Sequence, residues 1–342
     1  DGPACAIKQS GLLACWGAND FAQLGVLPSA TPDSCTHRSR TSPCRLEPLT
    51  VAGIDDVDSI AIGAAHMCAV KKDGTVWCWG RNNFSQLGHD PSTDQSACGG
   101  KCSPTPTQVA GLTNVTQVVV SADHTCARTT AGQVSCWGVN ENGQLGNGTI
   151  GAPTHIRSVP SGLGSNVSKI ASAAFSHTTC ALKSGEVFCW GLALDEGNLG
   201  HDSTLDPICN TVRCAKSPVK VPNLTNVTDL SVGERTVCVV IGNNNVRCWG
   251  SNGFGQLGTG STATASGFTL RDVTGLTNIE KVSGTAATTC ARSTTNKLFC
   301  WGNASEGGIG DGDLAGGSCS FAACEVTPVE VPNLTTDNFA VA

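Results

Sequence analysis

The stretch CAVKKDGTVWCWG, residues 68–80, decides the fold because the chain writes it six times. CAIKQSGLLACWG begins at Cys5, CARTTAGQVSCWG at Cys126, CALKSGEVFCWG at Cys180, CVVIGNNNVRCWG at Cys238 and CARSTTNKLFCWG at Cys290. In five copies the sixth residue after the first cysteine is Gly11, Gly74, Gly132, Asn244 or Asn296, the residue types that best tolerate a left-handed backbone. A three-residue hairpin loop needs such a residue at its end. With Lys72-Asp73-Gly74 as the loop, Val70 faces Val76 and Cys68 falls opposite Cys78, within disulfide reach. The fourth copy is one residue shorter, and a two-residue loop Ser184-Gly185 restores the register of Cys180 against Cys189.

The CWG tripeptides begin at 15, 78, 136, 189, 248 and 300, a spacing that suits propeller blades or solenoid units. Turn-rich segments follow them: GANDFAQLG (17–25), GRNNFSQLG (80–88), GVNENGQLG (138–146) and GSNGFGQLG (250–258). A variable loop comes next, then an alternating strand such as VAGLTNVTQVVVSA (109–122). Each unit therefore reads as about four short strands without a helix.

Twelve of the 20 cysteines lie in the hairpins, as Cys5 with Cys15, Cys68 with Cys78, Cys126 with Cys136, Cys180 with Cys189, Cys238 with Cys248 and Cys290 with Cys300. The other eight form four close pairs in the variable loops: Cys35 with Cys44, Cys98 with Cys102, Cys209 with Cys214 and Cys319 with Cys324. The count is even, and ten bridges would persist only in an oxidising compartment, so a secreted or surface-exposed chain is expected. No copy carries CxxC or histidine at zinc-ligand spacing.

An alternating strand, HTCAL-like residues, a Gly turn, V-x-CWG and N-x-x-GQLG together resemble the RCC1-type (regulator of chromosome condensation) repeat, in the cysteine-rich form of extracytoplasmic proteins. The resemblance covers nearly the whole chain. It implies an all-β propeller, usually of seven blades. Here six CWG units leave no room for a seventh, so a single six-bladed β-propeller domain over 1–342 is expected, with hairpins at 5–17, 68–80, 126–138, 180–191, 238–250 and 290–302. The C-terminal VPNLTTDNFAVA (331–342) matches VPNLTNVTDLSV (221–232), the strand the first unit lacks. Pairing of Phe339–Ala342 beside residues 4–9 would close the ring; donation of the same tail to a neighbour would make a polymer.

The formal charge of -6 argues against an electrostatic nucleic-acid binder. No apolar run is long enough to span a bilayer. The chain begins at Asp1 with Met67 its sole methionine, which reads as a processed protein or a piece of a larger one. His66 and His124, two residues before a cysteine, and His177, three before, read as hydrogen-bonded structural histidines rather than metal ligands, since Pro3, Thr236 and Thr288 replace them elsewhere. The acidic turns Asp195-Glu196-Gly197 and Asp311-Gly312-Asp313 lack the ladder of a calcium loop. No nucleophile elbow, HExxH or phosphate loop occurs, so neither an enzyme nor a cofactor is expected.

Eight N-x-S/T triplets begin at Asn83, Asn114, Asn147, Asn166, Asn223, Asn226, Asn303 and Asn333, a mild excess over chance that makes each a candidate glycosylation site. Asn114, Asn223, Asn226 and Asn333 read as one recurring loop. The expected function is a non-catalytic extracellular structural or adhesive scaffold, partnered by protein (a surface partner or itself, in filaments) or glycan. The alternative is a secreted binding module, a lectin or a protein inhibitor; the resemblance admits the latter because RCC1-like propellers include a secreted β-lactamase inhibitor. Nucleotide exchange on a small GTPase, the role of the family's namesake, conflicts with the cysteines and the acidic balance.

Overall fold

A computed structural model of the chain describes residues 2–37, 40–194, 197–263, 266–305, 308–312, 317–319 and 323–335. They fall into two compact units, residues 1–165 and 166–342, each built from three antiparallel sheets. In the first unit the first sheet runs Pro3–Ile7, Leu13–Ala18, Arg40–Thr50, Asp33–His37 in spatial order. The second runs Val57–Ile62, His66–Lys71, Val76–Arg81, Cys102–Gln108, and the third Val115–Val120, His124–Thr129, Val134–Asn140, Gly151–Ser158. In the second unit the fourth sheet runs Val167–Ala171, Thr178–Lys183, Glu186–Leu192, Val212–Lys220, Ile208–Cys209. The fifth runs Val227–Val232, Thr236–Ile241, Val246–Gly250, Gly267–Asp272, and the sixth Ile279–Gly284, Thr288–Ser293, Lys297–Asn303, Ala323–Thr335, Gly317–Ser318. The protein is all-β, with six propeller blades.

The repeated hairpin sits at the middle of every blade. Val70 pairs with Val76, and the turn between them ends at Gly74 with φ +76°. In the shorter fourth copy Lys183 pairs with Glu186 around Ser184 and Gly185, both at positive φ. In every copy the two cysteines stand directly opposite. The structure bonds Cys5 to Cys15, Cys68 to Cys78 and Cys126 to Cys136 in the first unit. In the second unit it bonds Cys180 to Cys189, Cys238 to Cys248 and Cys290 to Cys300. The Cα atoms of each pair lie 4.1–4.2 Å apart, the close spacing of directly opposed antiparallel residues.

Within each unit, consecutive blades are joined at that turn. The N–H of Val115, opening one blade, donates to the carbonyl of Gly74 in the blade before (3.0 Å), and Val57 to Gly11, Val227 to Gly185 and Ile279 to Asn244 repeat the bond. A side chain on Gly74 would bring a β-carbon to 3.0 Å from the Asn114 backbone, so the close approach as well as the positive φ favours glycine there, while Asn244 fills the same left-handed position in the fifth blade at φ +61°.

Between blades the apolar faces meet. Val70, Val76, Leu87, Val109, Val115 and Trp137 form one such cluster. Trp79, Trp137, Trp190, Trp249 and Trp301 are each 0% exposed. Removing an indole of that size from water contributes on the order of 4–6 kcal/mol before entropy is charged against it.

The expected long strand over 109–122 is shorter than its alternation suggests. Regular pairing covers only Val115–Val120, because Gly111 and Asn114 both take positive φ and turn the chain just before it. The expected closing strand, Phe339–Ala342, lies outside the described residues, as do Asp195, Glu196 and Asp313 of the acidic turns.

Candidate functional site

The N-x-x-x-Q-L-G segment explains the most repeated side chains. Asn82 Oδ1 accepts the Leu87 N–H at 3.0 Å, and Gln86 Oε1 accepts the Phe84 N–H at 2.9 Å, so the two amides hold one tight loop. Asn19 with Gln23, Asn140 with Gln144 and Asn252 with Gln256 do the same. The glutamine's own carbonyl then receives the next blade's tryptophan: Trp79 Nε1 donates to Gln23 O at 2.8 Å, Trp137 to Gln86 O at 2.9 Å and Trp301 to Gln256 O at 2.9 Å. In the fourth blade Asn198 replaces glutamine, and Trp249 donates to its carbonyl at 3.1 Å. The sequence marks these residues by repetition, yet nothing in one copy shows that Gln and Trp of different copies meet.

The histidines divide by register. His66 and His124 pair with Gly80 and Gly138, but Thr178, not His177, takes that place in the fourth blade. His66 is 0% exposed, and burial pushes its imidazole down to about 3. Among the described residues no three His, Cys, Asp or Glu side chains gather to hold a metal ion.

Other charged groups are engaged in structural pairs. Asp229, 1% exposed, takes Lys169 Nζ at 2.6 Å on one oxygen and the Val282 N–H at 2.9 Å on the other, tying three consecutive blades. The Arg81 guanidinium lies over the rings of Phe21 and Phe84, 5.3 and 5.2 Å from their centroids, two cation–π contacts of which the first reaches across to the first blade. An open recess of about 590 Å³ is lined by Asn223, Thr225, Asn226 and Arg247, whose guanidinium already meets Asp272 at 2.7 Å.

Two kinds of backbone position account for half of the N-x-S/T triplets. Asn114, Asn166 and Asn226 take φ of +56° to +66° immediately before an inner strand, where Asp56 and Asn278 stand in other blades. Three residues earlier, Asn223 (φ +56°) occupies the left-handed position held by Gly53, Gly111 and Gly275. The hydroxyl two residues after each strand-opening asparagine is used as well: Thr116, Ser168 and Thr228 donate to the carbonyls of Arg128, Leu182 and Val240 beside the strand's register shift. The triplet thus reproduces a turn-and-bulge requirement, which the sequence alone does not separate from a glycosylation signal. Asn114, Asn166, Asn223 and Asn226 are exposed. Asn83 accepts the Lys101 N–H, and the carbonyl oxygens of Asn147 and Asn303 accept their own turns' N–H groups. The Asn333 side chain lies outside the described residues.

The variable loops carry the remaining cysteines, and the structure bonds Cys35 to Cys44, Cys98 to Cys102, Cys209 to Cys214 and Cys319 to Cys324. In the first, fourth and sixth blades the bridged loop folds back as an extra strand on the sheet's outer edge: Asp33–His37, Ile208–Cys209 and Gly317–Ser318. In the second it makes the single bridge Gln95 to Cys102. Each loop is thus a clip over unpaired edge groups.

The Regulator of chromosome condensation (RCC1) repeat pattern matches residues 73–128, 131–182 and 184–240, and a second description of the same repeat matches 57–86, 115–144 and 227–256. The Ultraviolet-B receptor UVR8 of Arabidopsis thaliana is 28% identical over 313 residues, 90% of this chain and 64% of the receptor. RUG3, a mitochondrial RCC1 domain-containing protein of the same plant, is 26% identical over 98% of this chain and 71% of its own. The chain therefore spans about two thirds of the length of these relatives. Yeast RCC1 (Prp20), solved bound to Kap60, superposes with a TM-score of 0.77 at 20% identity, covering 96% of this chain and 74% of that one. Repeated hairpins, glutamine–tryptophan joints and these matches lead to one conclusion: the chain belongs to the RCC1-repeat family, as a cysteine-rich, six-bladed β-propeller.

Proposed function

We propose that this chain is a non-catalytic extracellular scaffold, stapled by ten disulfides, that works by holding a protein partner on its blade loops. The observation carrying the extracellular reading is the complete pairing of 20 cysteines, twelve across hairpins and eight in clips, with no free thiol among the described residues. The non-catalytic reading rests on what the buried polar groups do: His66, Asp229 and the loop asparagines hold blades together. A protein partner is favoured because yeast RCC1, of the same fold, was solved bound to Kap60.

The test is a thiol count on native protein unfolded without reductant, followed by partner recovery from the native extracellular fraction. No titratable thiol and a saturable protein complex are expected. Several free thiols per chain would overturn the extracellular reading, and binding only to arrayed glycans would replace the scaffold with a lectin.

A further inference from the structure

The recess of about 590 Å³ beside Asn226 on the fifth blade has a counterpart of about 570 Å³ beside Asn114 on the third. Counted from Cys238 and Cys126, Thr225 and Thr113, Asn226 and Asn114, Ile241 and Thr129, and Asn243 and Ala131 stand at the same places. In both blades the hollow opens between the loop that enters the first strand and the turn of the cysteine hairpin. Two blades from different units thus build the same recess, of a size that suits a small ligand.

An N-x-T asparagine stands at the edge of each. The hairpin turn packs on its backbone: the Thr130 N–H donates to Asn114 O at 2.8 Å, and a β-carbon on Gly242 would lie 3.3 Å from the Asn226 Cβ. The side chains are exposed, and neither amide has a hydrogen-bond partner among the described residues. Asn83, Asn147 and Asn303, by contrast, spend their carbonyl oxygens on nearby N–H groups. The recess walls offer hydroxyls from Thr113, Thr129 and Thr225 and amides from Gln133 and Asn243, with an apolar side from Ala131 or Ile241. An acetylated amino sugar carries the matching groups, hydroxyls and an amide around a ring whose faces present C–H bonds.

We infer that Asn114 and Asn226 carry N-linked N-acetylglucosamine and that this first sugar is seated in the recess beside its asparagine. The donor is a polyprenyl-diphosphate oligosaccharide of the secretory route. The amide nitrogen bonds to C1 of the sugar as the bond from C1 to the diphosphate oxygen breaks, polyprenyl diphosphate leaves, and the amide proton passes to solvent. Successive connections of an antiparallel sheet alternate between its two ends, so a sugar seated here leaves the N-x-x-x-Q-L-G loop at the blade's other end uncovered. The inference rests on the extracellular reading above.

Native protein from the extracellular fraction is treated with peptide-N-glycosidase in heavy-oxygen water, and mass spectrometry reads which asparagines have become labelled aspartate. Label at Asn114 and Asn226 is expected. A fully oxidised chain unlabelled at both overturns the inference and leaves the extracellular reading standing, whereas several free thiols together with no label sink both. The chain secreted by a glycosylating host, fed N-acetylglucosamine isotope-labelled in its acetyl methyl, is then trimmed by endoglycosidase to one sugar per site. Magnetisation transfer from that methyl is measured by NMR. Contacts to the Ala131 methyl from the sugar at Asn114, and to the Ile241 methyls from the sugar at Asn226, are expected. An acetyl methyl that reaches neither side chain places the sugar in solvent and overturns the seat.

Discussion

His66 Nε2 lies 2.9 Å from Thr125 Oγ1, across the boundary between the second and third blades. Thr125 spends its own proton on the Gln86 carbonyl at 2.8 Å, so the hydroxyl accepts and the imidazole carries its proton on Nε2. Burial, with no partner for a second proton on Nδ1 among the described residues, holds the histidine neutral.

A pH dependence follows. The folded imidazole titrates at about 3, against an ordinary value of 6.5. Below pH 6.5 the unfolded chain takes up a proton that the folded one refuses, so stability falls as pH drops from 6.5 toward 3. By pH 4.5 the loss from this residue should reach about 2–3 kcal/mol. Urea titrations at pH 7.5 and 4.5 check it: His66→Gln, which keeps a donor, should flatten that part of the slope. An equal slope in both proteins would refute the assignment.

The tryptophan joints should not be equal. Gln86 O keeps the Thr125 hydroxyl when Trp137→Phe removes the indole donor, whereas Met67 stands at the Thr125 position beside Gln23. Trp79→Phe should therefore cost about 1–3 kcal/mol, the penalty of an unsatisfied buried carbonyl, and more than Trp137→Phe. Paired denaturation midpoints measure the difference.

Asp229 offers a test of coupling. Asp229→Ala should cost about 2–4 kcal/mol by orphaning the Val282 N–H and the Lys169 ammonium, the second discounted because that lysine is partly exposed. Once Asp229 is gone, Lys169→Met should add little. Additive losses in a double-mutant cycle would show that the two side chains do not act together.

The exposed asparagines separate backbone from modification. Asn226→Gly should leave stability within about 0.5 kcal/mol, while Asn226→Ala should cost about 1 kcal/mol for a β-carbon in the left-handed region. When the chain is secreted by a glycosylating host, glycan should be found at Asn114, Asn166, Asn223 and Asn226 and not at Asn83, by peptide mass spectrometry.

Much of this was legible because it is written six times. The hairpin register needs only the spacing of Cys68, Gly74 and Cys78, and the shortened fourth copy tests it internally. Asp229 is different, since one acidic residue in a strand carries no sign of its partners 60 and 53 residues away. The clips were visible as cysteine pairs but not as strands, because Ile208–Cys209 and Gly317–Ser318 are too short for alternation to register. The turn before Val115 was hidden by valines on either side of Gly111 and Asn114, which extend an apparent alternation through a bend.

Each bridged loop hangs from the rim of a sheet by its own covalent knot, and in the fourth blade all four residues between Cys209 and Cys214 are exposed. Such a loop can lengthen, shorten or exchange its residues without disturbing the buried indoles beneath. The molecule is in that sense a fixed chassis with interchangeable fittings, and grafting a foreign peptide between Cys209 and Cys214 should leave the body of the protein intact.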